Sequence, residues 1–476
     1  MRNFITTNDV DMAVSAGKRE LSLGPEDVLT AMAKEQAQKL GVRITFRDHA
    51  GPAAGAAGLA SGGSAGSASA GTFVPGFISG GSSTVGRSAG SAGGNSPAGY
   101  NIEAWRKRIP ILSREVHVAN CSHAPQSDMT LAAAQEYLTT WDQVCMAWDR
   151  YVEVVGEAKA EFAKMIGAEQ DEIAVGTSLS ELTSTIASAL PMNGPRKKVV
   201  VTEAEFPTVG HVWLAHQKFG INVQYVPLRN GQIDPSDYDR IVDNNTLITS
   251  ICDVFYYNGF KQKLADIIPR IHAKESLVYV DAYQGLGTHP IDVKALDIDF
   301  LASGNLKYLM GTPGIAFLYV KRELIPYLKP AFTGWFGQED PFSFDVHHLD
   351  FARDARRFDN GTPPAPTAYI AKAGMQIINE VGPANIQAWT DQLSRRCLEG
   401  AQARGLEVAS PLDVALKAPT TAIRVPGDSH HVEHELRQRK IIASARADVI
   451  RIAPHFFTRL DEIDYVLDNL AEIVRS

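Results

Sequence analysis

Two side chains of this sequence are placed to do chemistry together. Asp281 ends the apolar run Ser276–Val280, and Lys307 follows some two dozen residues later, behind Phe300–Leu301 and a small polar loop. A Gly/Pro turn and a further apolar run, Gly314–Val320, come after the lysine. Each run reads as a buried strand, which puts the acid and the amine at the exits of neighbouring strands. A lone lysine after a strand is ordinarily a solvated surface residue, and a strand-end aspartate is ordinarily a cap. Paired at this spacing they meet the needs of pyridoxal 5′-phosphate. The lysine forms a Schiff base with the cofactor, and the carboxylate keeps its pyridine nitrogen protonated so that the ring draws electrons.

Further along the chain, Val175–Leu190 (VGTSLSELTSTIASAL) reads as strand, small polar loop and helix. Ser178, Leu179 and Ser180 would then offer N–H and hydroxyl groups at a helix N-terminus, where the dipole favours an anion; a plain helix cap is the simpler reading. Near the end of the chain, Arg451 in VIRIAPHFFT and Arg446 before it are two guanidinium groups suited to a carboxylate, the alternative being a structural salt bridge. His455 reads as structural.

Together, VDAYQGLGT (280–288) and LASGNLKYLMGTPGIAFLYV (301–320) resemble the class V aminotransferases of the fold type I pyridoxal-phosphate superfamily. That group includes cysteine desulfurases, kynureninases and isopenicillin N epimerase-like enzymes. The resemblance runs from about Val116 to the C-terminus. It implies a pyridinium-binding role for Asp281, a contact of Gln284 with the cofactor's phenolic oxygen, and Lys307 as the Schiff-base lysine. It also implies phosphate binding by Ser178, Leu179 and Ser180. Phe206, in EFPTVGHVW, would stack on the cofactor ring, the plainer alternative being a core residue. Trp335, in TGWFGQ, would sit in a cofactor-adjacent loop. Thr362, in FDNGTPP, would reach the phosphate of the partner subunit of a homodimer. Arg451 would take the substrate carboxylate, with Arg446 as second candidate, and His123, in ANCSHAPQS, would line the substrate entrance. The chain departs from the family pattern at two places. Leu306 stands before the lysine, where many members carry His or Tyr, and the Ser-Gly-His-Lys spacing is stretched to Ser303-Gly304-Asn305-Leu306-Lys307. The segment IASARADVIRI (442–452) has no cysteine, so desulfurase chemistry, which needs a thiolate there, is set aside.

These residues need an α/β scaffold. Apolar strands at 199–201, 223–226, 247–251 and 277–280 alternate with helical stretches, which predicts a mostly parallel sheet covered on both faces. The expected organisation is a docking segment over 1–48, a linker over 49–99, the N-terminal part of the catalytic unit over 100–150, a cofactor-binding large domain over 151–364, and a smaller α+β domain over 365–476 closed by a helix at 462–474. The linker is a Gly/Ala/Ser tract with one charged residue, Arg87, too poor in apolar surface to offset chain entropy. It contains an apolar island, TFVPGFI (72–78), read as a chance cluster or a short docking motif. Before it, Thr7 or Asn8 can cap a helix stopped by Gly17. Pro25 suits the start of a second helix, with Leu29, Met32, Ala33, Ala37 and Leu40 at helical spacing and Gly41 at its end, followed by a strand over Val42–Phe46. LTAMAKEQAQKLGVRITF (29–46) resembles the N-terminal segment of ethanolamine-utilization cobalamin adenosyltransferases and segments that precede other microcompartment enzymes. That resemblance implies docking to a protein shell or another cargo protein; a small accessory domain packed on its own subunit is the alternative.

Composition narrows the partners. Of 476 residues, 45% are hydrophobic and 21% charged, and the net charge is −8 with no basic stripe, which argues against nucleic acid. No apolar run approaches the roughly 20 residues of a membrane span. The first residues lack the apolar core of a signal peptide. The four cysteines form no CxxC pair, as expected of reduced thiols in the cytoplasm. The expected activity is transamination of an amino acid or small amine. A kynureninase-like lyase or hydrolase comes second and an epimerase third; an inactive scaffold carrying the docking segment is disfavoured because Asp281, Gln284 and Lys307 are all present.

Overall fold

The computed structural model describes residues 3–5, 7–24, 27–29, 31–46 and 99–475. The TFVPGFI island and most of the Gly/Ala/Ser tract lie outside the described residues, as does Pro25. The chain divides into two units, Met1–Ser88 and Ala89–Ser476.

In the first unit two strand–helix–strand repeats follow one another: β1 (Asn3–Ile5), α1 (Thr7–Ser15), β2 (Glu20–Leu23), then β3 (Asp27–Leu29), α2 (Ala31–Lys39), β4 (Arg43–Phe46). β1 pairs with β3 and β2 with β4, both in parallel. The expected second helix therefore begins at Ala31. Residues 27–29 satisfy their backbone groups in a strand ladder instead, which removes Leu29 from the helical stripe. Val10, Ala33, Ala37 and Val42 form the core of the unit, with Leu21 and Ile44 packed against it. Gly17 and Gly41 follow the helices with φ of 72° and 65°, a region that side-chain-bearing residues enter only at a cost.

The second unit is built on a seven-stranded sheet. Its strands are β6 (Ile173–Gly176), β7 (Lys198–Thr202), β8 (Asn222–Val226), β9 (Thr246–Cys252), β10 (Leu277–Asp281), β11 (Phe300–Gly304) and β12 (Ala316–Val320), in spatial order β6-β12-β11-β10-β9-β7-β8. All pairings are parallel except those of β12, which runs antiparallel to β11 and β6. Side chains alternate between two apolar layers. Val175, Val200, Val278, Val280, Leu301 and Phe317 face one layer, and Ala174, Val199, Val201, Tyr279, Phe300 and Leu318 face the other. Because both faces are covered, these strands read in sequence as continuous apolar runs. α5 (Trp148–Ile166), α9 (Leu264–His272) and α10 (Ala365–Val381) contribute to the first layer, and α6 (Leu179–Ala189) and α7 (Pro207–Ala215) to the second. α4 (Asp128–Val144) packs on α10.

A third apolar cluster joins both ends of this unit. It takes Ile102 from α3 (Ile102–Lys107) and Val116 from β5 (Val116–His117), together with Trp389, Leu393 and Cys397 of α11 (Pro383–Ala403). It also takes residues of β13 (Thr421–Arg424), α12 (Ser429–Gln438), β14 (Ile441–Ile442), β15 (Ser444–Arg446), β16 (Val449–Ile452) and α13 (Leu460–Arg475). β5 pairs with β14 in parallel. Arg106 of α3 and Glu462 of α13 form a buried two-pronged ion pair at 2.7 and 2.8 Å. Loss of one partner would strand the other charge in the interior, a penalty on the order of 3–5 kcal/mol.

The parallel strands leave their carboxyl ends on one edge of the sheet. There Gly176, Thr202, Cys252, Asp281 and Gly304 open into loops, and antiparallel β12 enters from the same edge. This is where an open α/β sheet binds ligands.

Candidate active site

A cavity of about 400 Å³ lies at that edge. Five strand exits lend it residues: Thr177–Ser180 after β6, Ala204 and Phe206 after β7, Val254 and Tyr256 after β9, Asp281, Tyr283 and Gln284 at the end of β10, and Leu306 and Lys307 after β11. Arg446 and Arg451, from β15 and β16, close one wall, and Cys121 and Ser122 another.

Asp281 is buried. Its Oδ1 accepts from the Tyr283 N–H at 2.9 Å, and no cation lies within ion-pair distance of it among the described residues. Burial pushes its pKa up to about 6, against the pull of the Tyr283 amide and Lys307. Lys307 moves the opposite way, down to about 8. Burial is the main cause, Arg451 and Arg446 add to it, and Asp281 opposes it. The lysine Nζ lies 4.1 Å from the centre of the Tyr283 ring and 5.7 Å from that of Phe206. The residue after it is tightly held. The Tyr308 hydroxyl bonds Thr420 Oγ1 at 2.9 Å, and His455 Nε2 lies 3.0 Å from the Tyr308 carbonyl. His455 Nδ1 accepts from the Phe456 N–H at 2.9 Å, which leaves Nε2 as the donor to Tyr308. Burial lowers the His455 pKa to about 4, so it stays neutral and structural, as the sequence suggested.

Phe206 caps α7, whose first residue, Pro207, suits a helix start. Its ring meets Tyr256 edge to face at 5.3 Å. Beside it Glu205 is buried, with both carboxylate oxygens unpartnered; burial and the neighbouring Asp281 raise its pKa, favouring the neutral acid. At the start of α6, Ser178 Oγ accepts from the Glu181 N–H at 3.2 Å. The N–H groups of Leu179 and Ser180 are in the first turn and have no acceptor within the helix. Gln284 Nε2 donates to the Cys121 carbonyl at 3.0 Å, while its Oε1 is buried and unpartnered. Arg451 is buried and pinned. One Nη donates to the Tyr256 carbonyl at 2.8 Å, and the other to Ser122 Oγ at 2.9 Å and Ser444 Oγ at 2.6 Å, leaving Nε without a partner. Ser444 is opposite Arg451 in the ladder, so Arg446, two residues on, shares that face.

The cavity therefore brings together Lys307, Asp281, Gln284, Phe206, Ser178, Leu179, Ser180, Arg451 and Arg446. Three further candidates lie outside it. Trp335 packs with Trp148, Phe336, Phe342 and Phe344 along a surface groove. Thr362 and His123 are exposed. Next to Thr362, Asp359 is locked by Lys159 Nζ and the Val175 N–H, each at 2.7 Å. Next to His123, the Ala124 N–H donates to the Leu306 carbonyl at 3.0 Å. The sequence reading missed Cys121, Ser122, Tyr256 and Tyr283. Tyr256 and Tyr283 follow strand ends, which was signal enough to flag them. Cys121 and Ser122 flank the singled-out His123, but only folding brings that segment to Lys307.

The donor set fits pyridoxal 5′-phosphate. A buried carboxylate without a cation suits a protonated ring nitrogen, and a lysine of lowered basicity suits its carbonyl. Free N–H groups at a helix start suit a phosphate, and an orphaned Arg451 Nε suits a carboxylate.

Residues 120–451 match the family described as Aminotransferase class-V. An uncharacterized aminotransferase of Bacillus subtilis is 35% identical over 78% of this chain and 97% of its own length. A probable cysteine desulfurase of Streptomyces coelicolor is 29% identical over 68% of this chain and 80% of its own. Among solved structures, the apo cysteine desulfurase of Thermococcus onnurineus superposes with a TM-score of 0.72 at 22% identity, covering 81% of this chain and all of that one.

The lowered basicity of Lys307 is directly testable. In cofactor-free protein, amine acetylation of Lys307 followed by mass spectrometry should rise with a midpoint near pH 8, where ordinary lysines titrate near 10.4. Asp281→Asn should move that midpoint lower, because it removes the anion that favours the ammonium form. A midpoint at the ordinary value in both proteins would contradict the reading.

Proposed function

The chain belongs to the class V aminotransferase family, whose cofactor is pyridoxal 5′-phosphate, and on that premise we propose that it transfers the amino group of an amino acid or small amine. The observation that carries this reading is one cavity holding Lys307, Asp281 and Arg451, an amine, an acid and a guanidinium with an unpartnered Nε. Bound through Lys307, the cofactor supplies a sink for electrons released at the substrate's amino-bearing carbon. In this reading Asp281 holds the proton on the pyridine nitrogen, Phe206 stacks on the ring, and Gln284 meets the phenolic oxygen. Ser178, Leu179 and Ser180 hold the phosphate at the start of α6. Arg451 takes the substrate carboxylate, and Arg446 on the same face is the second cation for it. The Lys307 amine, released when substrate binds, would take the proton from the substrate's amino-bearing carbon and deliver it to the cofactor carbon that had held the lysine, which is what leaves the amino group on the cofactor. In a homodimer, Thr362 extends to the neighbouring subunit's phosphate, Trp335 lies near that junction, and His123 stands at the entrance.

A second reading, a kynureninase-like lyase or hydrolase, is favoured by the aromatic wall of Phe206 and Tyr256 beside the amine. The two readings part in the fate of the amino group. Purified protein should show a visible cofactor band that Lys307→Ala removes, and one donor from a panel of amino acids and amines should convert it to the pyridoxamine form. Conversion with no donor, together with release of a side-chain fragment, would favour the lyase; absence of any cofactor band after adding pyridoxal 5′-phosphate would sink both.

We further propose that residues 1–48 dock the enzyme to a protein shell or to another cargo protein in the bacterial cytoplasm. Supporting this, the small first unit leaves Met12, Leu40 and Phe46 exposed, and among the described residues no helix is long and apolar enough to cross a membrane. Deleting residues 1–99 should leave the transamination rate unchanged and abolish co-sedimentation with shells; undiminished co-sedimentation would refute docking.

A further inference from the structure

Four charged side chains line the cavity: Asp281, Lys307, Arg446 and Arg451. The acid and the amine are committed to the cofactor, which leaves two guanidinium groups and no acid for the substrate. Arg451 is buried and already donates to the Tyr256 carbonyl, Ser122 and Ser444. Arg446 differs. It is exposed, and among the described residues it has no hydrogen-bond or ion-pair partner. The acid nearest to it in sequence, Asp448, is taken by Arg424 and by the Tyr257 hydroxyl, the latter at 2.5 Å. An arginine keeps its charge at any working pH, so this cation lacks an anion.

The backbone that carries Arg446 is nevertheless fixed. Arg446 ends β15, and its partner in the ladder, Val449, begins β16, so Ala447 and Asp448 make the turn between them. Ala447 has a φ of 49°, in the left-handed region, and its carbonyl accepts from the Ser429 hydroxyl at 2.6 Å. Tyr257 holds Asp448 in that turn, and the carbonyl of neighbouring Tyr256 holds Arg451. One loop after β9 thus fixes both arginine-bearing strands. Arg451 lies opposite Ser444 and Arg446 opposite Val449, which makes the two arginines diagonal neighbours on one face. Such neighbours are about 7–8 Å apart at the backbone. One guanidinium fork is enough for one carboxylate, and Arg451 supplies it.

We propose that the amino substrate carries a second acid group at the end of its side chain and that Arg446 binds it, while Arg451 receives the carboxylate beside the amino group. This assignment rests on the placement of Lys307 and Arg451 under the transaminase reading. It narrows the part of Arg446 from a second cation for one carboxylate to the cation for a second. The substrate class is then amino acids of the aspartate and glutamate type. A cationic side chain would meet two like charges and no acid, and a neutral one would leave Arg446 without an anion.

The test is calorimetric titration of the holoenzyme, at one ionic strength, with unreactive carboxylates. Succinate and glutarate are compared with butyrate and pentanoate, which match them in length and carry one charge. The diacids should bind more tightly by about tenfold or more. Arg446→Gln should bring that ratio close to one, and Arg446→Lys, which keeps the charge and loses the fork, should fall in between. A ratio near one in the natural protein, or no binding of either diacid, would overturn the proposal. So would an Arg446→Gln variant that weakens monoacids and diacids alike, which would put both arginines on one carboxylate. A loss confined to pyridoxal 5′-phosphate affinity would put Arg446 on the phosphate and overturn it as well. Binding is read here without turnover, so a diacid preference in a protein that converts no amino donor would uphold this proposal and count against transamination.

Discussion

An acid and an amine are held apart in dry ground, and much of this structure serves to keep them so. Asp281 and Lys307 leave adjacent strands, β10 and β11, yet they form no direct ion pair. In water such groups would each be charged and indifferent to one another. Buried together, the carboxyl is pushed up to about 6 and the amine down to about 8. Each is drawn toward its neutral form by lack of water, and each is partly held in its charged form by the other. A site in this condition is primed for a cationic ring that satisfies the acid and a carbonyl that consumes the amine.

Such a pair needs a rigid frame, because a buried charge relaxes toward solvent if the backbone allows it. The parallel sheet supplies one side of the frame, with both faces covered by apolar layers. The other side comes from distant parts of the chain. His455 and Thr420 fix Tyr308, directly after the lysine. The segment at Cys121–Ala124 bonds Gln284, Arg451 and the Leu306 carbonyl. Arg451 is anchored by two serines and a carbonyl before any ligand arrives. Recognition groups set in place in advance lose little freedom when a substrate binds.

The sheet was legible in sequence because its central strands are buried on both faces and therefore read as unbroken apolar runs. Asp281, Lys307, Gln284 and Ser178–Ser180 were legible for a related reason: local motifs at strand exits point to one edge, whatever the details of packing. What sequence patterning could not supply is long-range assembly. Nothing local says that Ser122 meets Arg451, or that Tyr283 fills the space left at Gly304. Residues 27–29 were misread because helical spacing of apolar residues extends by chance across a strand-and-turn boundary, and the parallel partner, residues 3–5, lies elsewhere in sequence. The repeat itself, Asn3–Thr6 against Asp27–Thr30, was visible but short.

The central claim is that Asp281, held unpaired and buried, keeps the cofactor's ring nitrogen protonated. The direct measurement is the nitrogen-15 chemical shift of pyridoxal 5′-phosphate labelled at that nitrogen and bound to the protein at neutral pH, above the pH of about 6 at which the acid itself ionises. The account predicts the shift of a protonated pyridinium in the natural protein and of a neutral pyridine in Asp281→Asn. The same shift in both proteins would contradict it.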